Sequence, residues 1–272
     1  MRGGGRLRYL PVVLAALGAL AGCRLMPLDR LIFFPDPYVP DPPPGVVERW
    51  ITTADGVRLH AWYAGVPGAP ATLVWSHGNG GNIAGRADVL LALAAHGVSV
   101  LAYDYRGYGK SAGAPSEEGV YLDAEAAYDS ERTRGVPPER LVAFGESVGG
   151  AVSIHLASER PCAGVAVVST FTTLGAVARR HYGPIAVLAG TRFDSRSRVR
   201  ELEAPLFVAH GDQDEIVPFE LGEALFAAAP EPKRFLRVPG FHHNDVFAAP
   251  ELIPAIAAFA REVATAAAEP SH

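Results

Sequence analysis

The sequence predicts an α/β fold: a mostly parallel central sheet with helices on both faces, an antiparallel hairpin at its start and a small lid. Three features point there. Short apolar runs alternate with segments of helical periodicity along most of the chain. A strand, a sharp turn and a helix meet at Gly145-Glu146-Ser147-Val148-Gly149. Glycine, histidine and carboxylate recur just past the strands, on the rim where open parallel sheets place their ligand sites.

The elements follow in order. The chain has 272 residues, 49% of them hydrophobic, enough for one domain with a sizeable core. Its net charge is -5 with no large basic block beyond the N-terminus, which argues against a nucleic-acid partner. Arg2, Arg6 and Arg8 precede the apolar run Tyr9 to Leu20, and small residues lead to Cys23. That pattern predicts a signal peptide over residues 1–22, with an apolar run too short for a comfortable membrane span. Residues 23–45 carry Pro27, Pro35, Pro37, Pro40, Pro42, Pro43 and Pro44 and read as an extended spacer.

The domain is expected over residues 46–272. Val46 to Thr53 and Val57 to Ala64 alternate with the strand period, and Asp55-Gly56 joins them as a hairpin. Strands are expected at Thr72 to Ser76, Val98 to Tyr103, from Leu141, at Gly164 to Ser169, Leu206 to His210 and Arg234 to Val238. Helices are expected at Ile83 to His96, Glu117 to Arg134, after Ser147, and at Phe219 to Ala229 and Glu251 to Ala267. Between Ser169 and Leu206, Thr172 to His181 and Ile185 to Ala189 form a small lid, followed by a basic run with Arg192, Arg196, Arg198 and Arg200.

The rim residues suggest nucleophilic catalysis. A serine at the end of a strand, turning at once into a helix, lifts its Oγ off the sheet and towards free backbone N–H groups. Its hydroxyl needs a base, which histidine supplies near neutral pH, and a carboxylate to orient the imidazole. Ser147 is followed by the acids Asp212, Asp214 and Glu215 and then by His242 and His243. His77 and His210, in His-Gly turns, read as structural; Asp104 and Arg106 read as bracing the rim as an ion pair or turn; Asp212 reads as holding its own loop. Gly107-Tyr108-Gly109-Lys110-Ser111 fails as a phosphate-binding loop because Asp104 stands where the motif needs glycine. The histidines and acids come from separate loops without metal-ligand spacing, so no metal and no cofactor are expected.

At these residues the chain resembles the α/β-hydrolase superfamily, over about Val46 to Ala260. His77-Gly78-Asn79, Asp104 to Ser111, Gly145 to Gly149 and His243-Asn244-Asp245 look most like one branch, which holds bacterial serine hydrolases and eukaryotic membrane-associated protein depalmitoylases. The resemblance implies the α/β-hydrolase fold. It matches His210-Gly211-Asp212-Gln213-Asp214-Glu215-Ile216-Val217-Pro218 in register, which implies Asp214 as the acid, and its His-Asn-Asp implies His243 over His242. The oxyanion hole would use the backbone N–H groups of Asn79 and Val148. Leu20-Ala21-Gly22-Cys23 is similar to the lipobox of bacterial lipoproteins, which implies cleavage after Gly22, acylation of Cys23 and an anchor on the membrane of the cell envelope. The expected function is cleavage of a small-molecule or lipid-like acyl ester or thioester at Ser147. A serine aminopeptidase is the second enzyme reading, and a non-catalytic binding lipoprotein is the rival from another class.

Overall fold

Apolar runs with no polar alternation become strands covered on both faces. Thr72–Ser76 (β3), Ser99–Tyr103 (β4), Gly164–Val168 (β6) and Leu206–Gly211 (β7) are buried along their whole length. Leu141–Glu146 (β5) is buried up to its last residue. The alternating segments Val46–Thr52 (β1) and Arg58–Ala64 (β2) form the hairpin, and Lys233–Val238 (β8) closes the other edge. The sheet has eight strands in the order β1-β2-β4-β3-β5-β6-β7-β8. β2 runs antiparallel to β1 and β4, and every other pairing is parallel. The parallel strands therefore end on one rim. This is a computed structural model, and it describes residues 32–183 and 192–268. The expected signal peptide, Cys23 and the lid segment Ile185 to Ala189 lie outside the described residues.

The helices are α1 (Ala87–Ala95), α2 (Glu117–Thr133), α3 (Val148–Glu159), α4 (Leu174–Tyr182), α5 (Ser195–Val199), α6 (Phe219–Ala228) and α7 (Leu252–Ala268). Alternate strand residues Leu73, Trp75, Val142, Phe144 and Phe207 pack into one core with Leu90 and Leu93 of α1 and Leu252 and Ile256 of α7. α3 lies along β3, β5 and β6 and beside α2. Ser116 caps α2 by accepting from Gly119 N–H at 3.1 Å, and Glu117 and Glu118 in its first turn suit the helix dipole.

One expectation changes. The helix over Ile83 to His96 is a 3-10 turn at Ile83–Arg86 followed by α1, because Asn82 Oδ1 accepts from Ala84 N–H at 2.9 Å and tightens the first turn. Of the two units into which the chain divides, the one that carries the sheet begins at Pro35. Asn82 Nδ2 donates to the carbonyls of Asp36 and Tyr38 at 2.9 and 2.7 Å, and Gly109 N–H donates to Asp36 at 3.1 Å. Those bonds lay the extended chain across the rim loops.

Candidate active site

β5 ends at Glu146 and α3 begins at Val148, so Ser147 alone makes the turn, at φ 53° and ψ −123°. A non-glycine residue in that region costs about 1–3 kcal/mol. The surroundings hold it there. Ser147 N–H donates to Val168 O at 2.9 Å. Its carbonyl accepts from Gly150 N–H at 3.0 Å and from Thr170 Oγ1–H at 2.8 Å. The two glycines of the elbow are needed for close approach. A Cβ on Gly149 would lie 2.0 Å from Ser76 O, and one on Gly145 would lie 2.1 Å from Gly149 O. With hydrogen there instead, the N-terminus of α3 abuts the end of β3.

The loops after β7 and β8 bring the acid and the base. His243 Nδ1 stands 2.7 Å from Asp214 Oδ2, and His243 Nε2 stands 3.1 Å from Ser147 Oγ. Because the carboxylate can only accept, these partners assign the imidazole proton to Nδ1 and leave Nε2 to accept from the serine hydroxyl. Asp214 Oδ1 accepts from Val217 and Ile216 N–H at 2.7 and 3.0 Å. Burial alone would raise the Asp214 carboxyl. Hydrogen bonds from His210 and His243, the charge of His243 and the Val217 N–H outweigh it and hold the group well below the usual carboxylate range.

The rival candidates stand elsewhere. Asp212 Oδ1 accepts from Gly240 N–H at 2.7 Å and its Oδ2 pairs with Arg237 at 2.9 Å, while Gln213 N–H donates to Phe241 O at 3.1 Å. These bonds tie the acid's loop to the base's loop. His242 points outward and pairs with Glu215 at 3.0 Å. His210 Nε2 faces Val217 O at 2.9 Å and Asp214 at 3.3 Å, behind the acid. His77 is buried between Tyr105 and Tyr108, and Nδ1–H donates to Gly78 O at 2.6 Å. Burial, with the charge of Arg86, pushes His77 down to about 3, so it is a neutral loop brace.

Asp104 and Arg106 do not pair with each other. Arg106 gives both its backbone N–H (2.7 Å) and its Nε–H (2.8 Å) to Asp123, and its Nη1 pairs with Asp55 at 2.8 Å. Asp104 pairs with His60 at 3.1 Å and accepts from Ile83 N–H at 2.8 Å. The buried Asp123 on α2 takes the arginine, and β2 supplies a histidine for Asp104.

Opposite the elbow lies the loop His77 to Asn82. Tyr108 O–H donates to Asn79 O at 2.8 Å and lies 3.1 Å from Asn79 Oδ1. Val148 is the first residue of α3, a position whose N–H has no acceptor within the helix. Sequence reasoning missed four supporting side chains here: Thr170, Tyr108, Arg86 and Glu146. The one local signal was a charged residue, Glu146, in the middle of an otherwise apolar elbow.

Comparison with known proteins agrees with the fold. Residues 68–195 match the family described as "Serine aminopeptidase, S33". The chain is 41% identical over 263 residues to the uncharacterized protein Rv2307c of Mycobacterium tuberculosis strain H37Rv, covering 91% of each. Among solved structures, the esterase domain of a Rhodothermus marinus protein has a TM-score of 0.64 at 24% identity, covering 80% of this chain and 98% of that one. A Pyrococcus furiosus esterase has a TM-score of 0.68 at 20% identity, covering 85% of this chain and 97% of that one. The strand order, the elbow and the structural matches together give the chain the α/β-hydrolase fold, and its identity to Rv2307c places it in one family with that protein.

Proposed function

We propose that this protein is a serine hydrolase that cleaves carboxylic ester or thioester bonds through an acyl-enzyme on Ser147. One observation carries the reading: the unbroken hydrogen-bond chain from Ser147 Oγ through His243 to Asp214 Oδ2, at 3.1 and 2.7 Å. Ser147 Oγ attacks the acyl carbon as His243 Nε2 takes its proton. The carbonyl oxygen gains negative charge between the N–H groups of Asn79 and Val148. The tetrahedral adduct collapses, the C–O or C–S bond breaks, and His243 returns the proton to the departing alcohol or thiol. Water, activated by the same His243, then attacks the acyl-enzyme and frees the acid and Ser147. Asp214 keeps the imidazole oriented and stabilises it while it is charged.

A short lid insertion suits chain-like acyl groups, as the resemblance to the depalmitoylase branch also implies. An anchor at Cys23 would hold the enzyme beside acyl substrates at the bilayer of the cell envelope. The match to the serine aminopeptidase family favours amide cleavage as a second reading, which would need an acid to receive a free amine. Glu146, next to the nucleophile, is engaged by Arg86 and Gly78 instead.

The test is hydrolysis of p-nitrophenyl esters, acyl thioesters and aminoacyl p-nitroanilides of increasing length. It uses protein starting after Cys23, beside Ser147→Ala. The reading expects ester or thioester turnover that Ser147→Ala abolishes. Turnover of the anilides alone would favour the aminopeptidase. No turnover, with no fluorophosphonate labelling of Ser147, would sink both and raise a binding role.

A further inference from the structure

We infer that Arg86 and Glu146 are positioning residues that lock the oxyanion loop to the nucleophile elbow, an inference that rests on the serine-hydrolase reading of this site. Glu146 immediately precedes Ser147. Its Oε1 accepts from Gly78 N–H at 2.8 Å and from Arg86 Nε–H at 2.8 Å. Arg86 Nη1 in turn donates to the carbonyls of Gly80 at 2.7 Å and Asn82 at 3.1 Å. Both side chains are largely withdrawn from solvent, at 18% and 14% exposure.

Asn79 is thus bracketed. Glu146 holds the residue before it, Arg86 holds the residue after it, and Tyr108 holds its carbonyl. Each neighbour is a glycine, the residue type with the most backbone freedom to lose. Oxyanion donors act only when they are aimed before the charge develops. One donor here belongs to the loop and the other to α3. The Gly78–Glu146 bond is a direct link between those two pieces, spanning only Asn79 to Gly78 and Glu146 to Val148 along the chain. The pair also solves a charge problem. A bare carboxylate next to the nucleophile would oppose the developing oxyanion, and the Arg86 guanidinium cancels it at salt-bridge distance.

Steady-state kinetics on p-nitrophenyl butyrate test this with wild type, Arg86→Ala, Arg86→Lys, Glu146→Gln and the Arg86→Ala/Glu146→Gln double variant. Glutamine keeps an acceptor for Gly78 N–H without the charge. Deleting an oxyanion donor costs roughly 100-fold or more, so loosening one should cost less: Arg86→Ala is expected to lower kcat about 30-fold with KM within about threefold. Glu146→Gln should cost under about tenfold, and in the double variant it should recover several-fold of the Arg86→Ala loss. Affinity for an alkylboronic acid, which forms an anionic tetrahedral adduct on the serine, should fall in parallel with kcat. A purely structural role predicts a lowered melting temperature and a worse double variant, and either result with an unmoved boronate affinity overturns the inference. So does Arg86→Ala turnover within twofold of wild type. If Arg86→Ala does not fold, Arg86→Lys and Glu146→Gln carry the same kcat and boronate comparison. An inert wild type would overturn the hydrolase reading itself, and this inference with it.

Discussion

Asp214 meets His243 through one carboxylate oxygen only: Oδ2 accepts the Nδ1 proton at 2.7 Å, while Oδ1 is occupied by the N–H groups of Ile216 and Val217. This division predicts what the isosteric amide does. In Asp214→Asn the backbone donors keep the amide oxygen at the Oδ1 position, so the amide NH2 faces His243. The imidazole must then accept at Nδ1 and carry its proton on Nε2, pointing at Ser147, the wrong tautomer for a base. Ester turnover should fall about 10³–10⁴-fold, as wrong-tautomer variants of triads do. Circular dichroism and reversible unfolding should show a folded protein. Loss of activity smaller than tenfold would mean that Asp214 does not orient the base.

The same carboxylate sets an acid limit on stability. Its folded-state pKa is depressed below the unfolded value, so its contribution is fully present above the unfolded pKa of about 3.9 and is lost as pH falls through the folded value. Urea unfolding of wild type and Asp214→Asn should differ at neutral pH, and the gap should close as pH is lowered below about 4. A gap that widens on acidification would contradict the sign.

The elbow predicts a sharp intolerance at one atom. Gly149→Ala places a methyl 2.0 Å from Ser76 O, a backbone atom of a central strand that cannot step aside. Overpacking typically costs about 1–3 kcal/mol, and this site has no flexible neighbour to absorb it, so the upper end or more is expected. Thermal or urea unfolding reads the loss directly. Fluorophosphonate labelling of Ser147 should fall with it, because α3 must move off β3. A variant as stable as wild type would show that the elbow has slack.

The fold was legible because apolar runs alternate with helical segments, and parallel strands put their loops on one rim, so a serine followed by acids and then histidines already implied a shared edge; the choice of Asp214 and His243 among them came from the resemblance. The limits were physical. His242 and His243 are adjacent and alike in type, and only the local backbone turns one to Glu215 and the other to Ser147. Asp104 and Arg106 carry opposite charge two residues apart, yet partners from β2 and α2 separate them. Arg86 reaches Glu146 across 60 residues by a side-chain bond with no periodic trace in sequence. Hydrophobic pattern reports which face is buried, but not which polar group a buried polar group meets.

The proposed anchor at Cys23 makes a separate prediction. Leu20-Ala21-Gly22-Cys23 is expected to be cleaved before Cys23 and acylated there, and several acyl chains at one end bind a bilayer stably where one chain binds marginally. In a bacterium that processes lipoproteins, the wild type should sediment with membranes after a high-salt wash and should incorporate an alkyne-tagged fatty acid. Cys23→Ser should lose the label and leave the lipidated pool. Cys23 precedes Pro35, where the unit that holds Ser147, Asp214 and His243 begins, so turnover of a soluble short-chain ester should stay within about twofold of wild type. Turnover of vesicle-borne acyl substrates should fall much further, because the anchor raises their local concentration. If Cys23→Ser retains the fatty-acid label, acylation lies elsewhere. If it lowers soluble-ester turnover as strongly as vesicle turnover, the anchor is part of the folded enzyme and not only a tether.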